Sequence, residues 1–178
     1  MSIVPMILEH EAPGGRLRRF TPIFRGSESE LRKLSIESGV YEWMHQTSEA
    51  EDVLEMLSQA RAHCGVYVRG SEIDDRDFMK RVQDRRRSPP SFGAGVWALR
   101  VRFNPQHRLF GFFALPDWLV VLRKQERGVL EEGAHRWHSE IDSCMQIWQE
   151  LFPEKEPWVR ETLGEYLLFN AEKCDGRW

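Results

Sequence analysis

Between Arg76 and Arg127 the chain sets twelve Lys or Arg against four acids, a local charge of +8 in a protein whose formal net charge is −3. Guanidinium groups hold phosphate oxygens through charge-assisted, often bidentate hydrogen bonds, so a cluster of this kind suits a polyanion. The spacing is informative. Arg85, Arg86 and Arg87 precede a break rich in Ser, Pro and Gly, and Arg100 and Arg102 alternate with apolar residues. That alternation places both on one face of a strand. His107-Arg108 opens the next apolar run, and Arg123, Lys124 and Arg127 leave the one after it. His107 has an ordinary pKa of about 6.5, which suits proton transfer near neutrality. The competing reading is a solvated sheet face carrying ordinary solubilising charges.

Three strands must position these bases. Val96 to Phe103 is β-rich, Asn104-Pro105-Gln106 supplies a turn, and His107 to Leu115 is a second strand. Pro116-Asp117 turns the chain again into Trp118 to Arg123, which completes an antiparallel meander. Upstream, residues 17–24 supply one strand, and Ser27 or Ser29 caps a short helix running to about Ser38. Ser48 with Glu51 forms a capping-box pattern for a helix whose Val53, Leu57, Ala60 and Cys64 share a face before Gly65 ends it. Residues 65–70 read as a short strand. Residues 71–87 read as a helix that begins in acids and ends in bases, as the helix dipole favours. Downstream, Trp137, Ile141, Cys144, Met145, Trp148, Leu151 and Phe152 form an apolar helical stripe closed by Pro153. Pro157 opens a further helix with Val159, Leu163, Tyr166 and Leu167 facing inward. The expectation is one α+β domain over residues 1–178, a small antiparallel meander packed with helices.

Composition narrows the function classes. With 41% hydrophobic and 30% charged residues, seven Trp and ten Phe, the chain can bury a sizeable core. No apolar run approaches the roughly 20 residues that span a bilayer. The opening residues do not read as a signal peptide. Cys64, Cys144 and Cys174 lack metal-ligand spacing and read as free thiols of a cytoplasmic protein. His135 and His138 could form half a metal site, but nothing completes it at recognisable spacing, so no metal or cofactor is expected. Gly93-Ala-Gly95 precedes a strand and is no dinucleotide fingerprint. Trp137, Trp148, Phe152 and Trp158 read as core or as a partner-helix interface, with a platform for stacked bases as the alternative.

The run Trp97-Ala-Leu-Arg-Val-Arg-Phe, then His107-Arg-Leu-Phe-Gly-Phe-Phe, then Trp118-Leu-Val-Val-Leu-Arg-Lys-Gln resembles the core of the RelE/HigB-type bacterial toxins. Those are small ribonucleases of toxin–antitoxin pairs. Leu99-Arg100 matches the first element, His107-Arg108 stands where the family has Tyr-Arg, and a basic segment with a helix follows the third strand. The resemblance covers residues 75–152. It leaves residues 1–70 as an N-terminal extension and 153–178 as a C-terminal helix, with 88–95 as an insertion. What it implies is cleavage of messenger RNA, often on the ribosome, by attack of a ribose 2′-hydroxyl on the adjacent phosphate. That reaction needs a proton acceptor, a proton donor and cations on the phosphorane-like charge. Arg100 and Arg108 would stabilise charge, while His107 and Lys124 would move protons or contact phosphate. Arg85, Arg86, Arg87, Arg102, Arg123 and Arg127 would hold backbone phosphates. The implied partners are RNA, including ribosome-bound mRNA, and an antitoxin protein, with no membrane. Two rival readings remain open. One is a non-catalytic nucleic-acid-binding protein of phage or plasmid type. The other is an interaction module that forms a homo-oligomer through the Trp-rich C-terminal helices.

Overall fold

A strand exposed on one side alternates apolar with polar residues, whereas a strand covered on both sides has no polar face to spare. His107–Leu115 is of the second kind, with Leu109, Phe110, Phe112 and Phe113 all fully buried. Helices must therefore cover both faces of the sheet to which it belongs.

The computed structural model describes residues 15–24, 26, 28–74, 76–82 and 92–168. The strands are β1 (Leu17–Arg19), β2 (Lys33–Glu37), β3 (Met79–Arg81), β4 (Trp97–Val101), β5 (His107–Leu115) and β6 (Trp118–Glu126). They form one sheet in the order β1-β2-β6-β5-β4-β3. Pairing is antiparallel throughout except between β2 and β6, which run parallel. The fold is thus α+β and contains the predicted meander as β4-β5-β6, but the sheet is larger than expected and mixed. The helices among the described residues are α1 (Ser38–His45), α2 (Glu51–Val68), α3 (Arg127–Leu130), α4 (Ala134–Leu151) and α5 (Leu163–Tyr166).

Several local expectations are corrected. The short helix predicted up to Ser38 is replaced by β2, whose Leu34, Ser35 and Ile36 are all buried in the sheet. Helix α1 begins only afterwards, where the Glu37 carboxylate accepts the Gly39 N–H at 2.7 Å. The helix expected from the Ser48–Glu51 capping box is α2, but it starts at Glu51 after Ala50 with no side-chain cap, and it runs through Gly65 because Tyr67 and Val68 extend its buried stripe. Residues 65–70 are therefore not a strand, and the chain turns at Gly70 with φ +73°. The helix predicted over 71–87 is contradicted by β3, which pairs along β4 from Met79↔Leu99 to Arg81↔Trp97. Residues 83–87 of that expected helix and 88–91 of the expected insertion lie outside the described residues, as does Cys174. Among the described residues after Pro157 one helical turn forms, α5, opened by a Thr162–Glu165 capping box. The segment before it is held extended, with the Trp158 N–H donating to the Phe113 carbonyl at 2.7 Å.

Two cores result. On one side α1 and α2 pack Met44, Cys64 and Tyr67 against Ile36, Leu99, Leu109, Phe113 and Val121. On the other, α4 packs Ile141, Cys144 and Trp148 against Ala98, Phe110, Phe112, Val120 and Leu122. Most of the aromatic series at the C-terminal end is core, since Trp148 and Phe152 are buried there. Among the described residues no helix is long and apolar enough to cross a membrane.

The pairing of β5 with β6 contains a bulge. Phe110 opposes Arg123 while Gly111 opposes Val121, so Leu122 has no partner of its own. The strands approach so closely that a methyl group on Gly111 would lie 2.0 Å from the Val120 carbonyl oxygen. Backbone atoms on both sides cannot yield without breaking the ladder. Gly111→Ala is expected to cost about 3 kcal/mol and lower the melting temperature by roughly 6–12 °C. A calorimetric Tm within 2 °C of the wild-type value would show that the bulge does not need the glycine.

Candidate anion-binding site

Strand periodicity sorts the basic residues between the two sides of the sheet. Arg100 on β4 lies directly opposite Arg108 on β5, and Arg108 lies opposite Gln125 on β6. These share the α4 side with Arg123, which reaches Glu140 on α4 through two hydrogen bonds of 2.9 and 3.1 Å. His107 and Leu109, one residue away from Arg108 in each direction, face the opposite side and oppose Glu126 and Lys124. There the His107 ring lies 5.0 Å from that of Trp43 on α1, and the Lys124 ammonium sits 4.9 Å over the same indole. The four residues expected to act together are thus divided into Arg100 with Arg108 and His107 with Lys124. Neighbours on a strand point to opposite faces, which separates His107 from Arg108. The same alternation separates Arg123 from Lys124, and the bulge at Leu122 decides which of the two faces α4.

The α4 side of β3-β4-β5 forms the floor of a cavity of about 430 Å³, lined by Lys80, Arg81, Val82, Ala98, Arg100, Arg108, Arg127, Glu131 and Trp137. Arg108 is only 8% exposed. Among the described residues its side chain makes one hydrogen bond, from Nη1 to the adjacent His107 carbonyl at 3.1 Å, and no carboxylate pairs with it. Burial lowers its pKa to about 10, and the like charges of Arg100, Arg127 and Arg102 act in the same direction against a smaller pull from Glu131. Arg100 is lowered too, by burial first and then by Arg102, and its Nη1 donates to the Arg76 carbonyl. Like charges placed directly opposite across two strands are destabilising. A cavity wall that retains two such guanidiniums, one of them buried, is short of negative charge.

Among the described residues the remaining predicted phosphate contacts are already engaged. Arg102 pairs with Asp77, Arg123 with Glu140, and Arg127 with Glu131 at 2.7 Å and with the Gln106 amide oxygen at 2.9 Å. Arg85, Arg86 and Arg87 lie outside the described residues. Three cavity residues were missed by sequence reasoning. Lys80 fell within an expected helix, although its pairing with Ala98 puts it in the row beside Arg100. Glu131 carried no motif, and Trp137 was counted with the core stripe. His135, His138 and Asp142 line a shallow recess on α4. Among the described residues no group of three or more His, Cys, Asp or Glu is arranged to hold a metal ion.

His107 is a buried neutral imidazole. Its Nδ1 lies 2.8 Å from the Pro105 carbonyl, and burial lowers its pKa, helped by the Lys124 charge and opposed by the Pro105 contact. His63, stacked on Phe78 at 3.8 Å, is likewise lowered by burial. Because these pKa values lie below those of the unfolded chain, unfolding takes up protons once the pH falls below about 6.5. Their contribution to stability is therefore complete above that pH and is lost on acidification, by at most about 1.4 kcal/mol per pH unit for each histidine. Denaturant unfolding between pH 5 and 7 should show a shallower dependence in His107→Gln than in the wild type. An unchanged slope would mean that His107 titrates normally in the folded protein.

No family model matches this chain, and neither do any curated proteins or solved structures.

Proposed function

We propose that the protein binds RNA by seating a phosphate between Arg100 and Arg108. The observation that carries this reading is the facing pair of guanidiniums, of which the buried member has no carboxylate partner among the described residues. A phosphate offers acceptor oxygens to both forks at once and removes their mutual repulsion. The resemblance to the RelE/HigB-type toxins adds RNA as the source of that phosphate. Of the readings open from the sequence, geometry favours binding without the expected acid–base pair, because His107 and Lys124 lie across the sheet from the arginines.

Cleavage of the RelE/HigB kind is the second reading. The observation in its favour is the order β4-β5-β6 followed by α4, with both proposed charge stabilisers at the cavity. In that reading the proton-transfer roles pass from His107 and Lys124 to titratable groups lining the same cavity, Glu131 and Lys80. The partner protein of such a toxin would be an antitoxin.

Fluorescence anisotropy with a labelled single-stranded RNA tests the proposal. Arg108→Met keeps most of the buried side-chain volume and should weaken binding at least tenfold, as expected for one charge-assisted contact of roughly 1.5–3 kcal/mol. It should also reduce the dependence of log K on log salt by about one contact. Equal affinity of the variant and wild type at matched salt would remove RNA from this cavity. Gel analysis of the same RNA separates the two readings, since 2′-hydroxyl attack leaves a fragment ending in a 2′,3′-cyclic phosphate and simple binding leaves the RNA intact.

A further inference from the structure

The cavity that holds Arg100 and Arg108 is also bounded by an aromatic wall. Trp137, in the first turn of α4, is half-buried and stands edge-to-face on Phe110 of β5 with ring centroids 5.9 Å apart. Phe110 fixes the indole from below, so Trp137 presents a pre-set apolar surface to the same space that the two arginines enter. Ala98 and Val82 supply a small apolar floor between them. The volume of about 430 Å³ falls in the range of small-molecule sites. Beyond Trp137 the face of the sheet is closed by α4, where Ile141, Cys144 and Trp148 are fully buried. A strand of RNA therefore cannot lie along this face; a single unit can enter it.

We propose that the cavity is a seat for one nucleotide, with the phosphate held by Arg100 and Arg108 and the base stacked on Trp137. This rests on the phosphate-binding reading above and specifies its ligand as a nucleoside monophosphate, free or at the end of an RNA chain. A monoester phosphate carries close to two negative charges at neutral pH, and two guanidiniums meet it. An internal diester carries one. Base–aromatic stacking contributes roughly 1–3 kcal/mol and tolerates any base, since each has a π-face. Glu131 closes the polar side of the cavity while paired with Arg127. Its carboxylate opposes an incoming anion, so it limits affinity.

Isothermal titration of the full chain with adenosine monophosphate, adenosine and inorganic phosphate tests this without any variant. The monophosphate should bind at least tenfold more tightly than either fragment. Equal affinity for the monophosphate and inorganic phosphate would overturn the nucleotide seat. Trp137→Leu should bring the monophosphate to within about threefold of inorganic phosphate and leave inorganic phosphate itself unchanged, which also shows that the site is still folded. Glu131→Gln should tighten both ligands, and Arg108→Met should weaken both. Monophosphate binding that is indifferent to Trp137→Leu would overturn the stacking assignment. Arg108-dependent RNA binding without monophosphate binding would sink the nucleotide seat and leave the broader proposal standing. RNA binding that is indifferent to Arg108→Met would sink the broader proposal itself.

Discussion

The unpaired residue Leu122, set against Gly111, decides which charges this protein can bring together. A strand alternates its side chains strictly, and one extra residue reverses the alternation from there to its end. Leu122 and Arg123 consequently both turn toward α4, one into the core and the other onto Glu140. Lys124 is sent to the α1 side, where it rests over Trp43. With an unbroken register Lys124 would have faced the cavity and Arg123 would have faced α1. The absence of a side chain at Gly111 is what admits the bulge, because the Val120 carbonyl occupies the space where a Cβ would lie.

A second arginine shows what the fold does when such a group is structural. The side chain of Arg32 is completely buried just before β2, where the end of α2 meets the β5–β6 turn. Its Nη1 donates to the Ser71 carbonyl at 2.9 Å and to the Tyr67 carbonyl at 3.4 Å, and its Nε lies 3.6 Å from the Asp117 carboxylate. Asp117 is itself fixed in the turn at φ 59°, accepting the Leu168 N–H at 3.1 Å. Burying a charge without compensation is expensive, and here compensation is built in from three directions. Arg108 is nearly as buried but has one backbone carbonyl and a facing guanidinium instead. The contrast between these two sites within one molecule supports the proposal that the partner of Arg108 comes from outside.

The parts of the fold legible in the sequence are those fixed by local chemistry. Asn104-Pro105-Gln106 and Pro116-Asp117 break β-rich runs at the right places, so β4, β5 and β6 could be read with their pairing. Strand β2 could not, since Lys33–Glu37 is only five residues long and its identity depends on lying parallel to β6, more than eighty positions away. Strand β3 was hidden for a similar reason, as an acid-to-base gradient resembles a helix until β4 offers it an edge. For the site, the concentration of bases was legible, and the separation of His107 from Arg108 follows from strand alternation, but the sides taken by Arg123 and Lys124 were not legible. The bulge that turns Arg123 toward α4 and Lys124 toward α1 is a property of two strands in contact, and no spacing within β6 alone reveals it. Trp137 was visible as a member of a helical stripe, but its exposure to a cavity depends on where α4 stops covering the sheet.

The apparent basic tract resolves into something smaller and sharper once pairing is counted. Asp77 engages Arg102, Glu140 engages Arg123 and Glu131 engages Arg127, so acids from β3's approach and from the α3–α4 region quench the periphery. What is left at the centre is Arg100 and Arg108 with Lys80 beside them, in a recess walled by Val82, Ala98 and Trp137 and, on its polar side, by the Arg127–Glu131 pair. A surface meant to follow a polyanion along its length spreads unpaired cations in a track, and its affinity grows with the number of phosphates neutralised. Here Arg102, Arg123 and Arg127 are spent within the molecule, and Arg108 of the central pair is buried. Removing water from a small number of charges strengthens each contact they make, which favours recognition of one phosphate at one position over general attraction to nucleic acid.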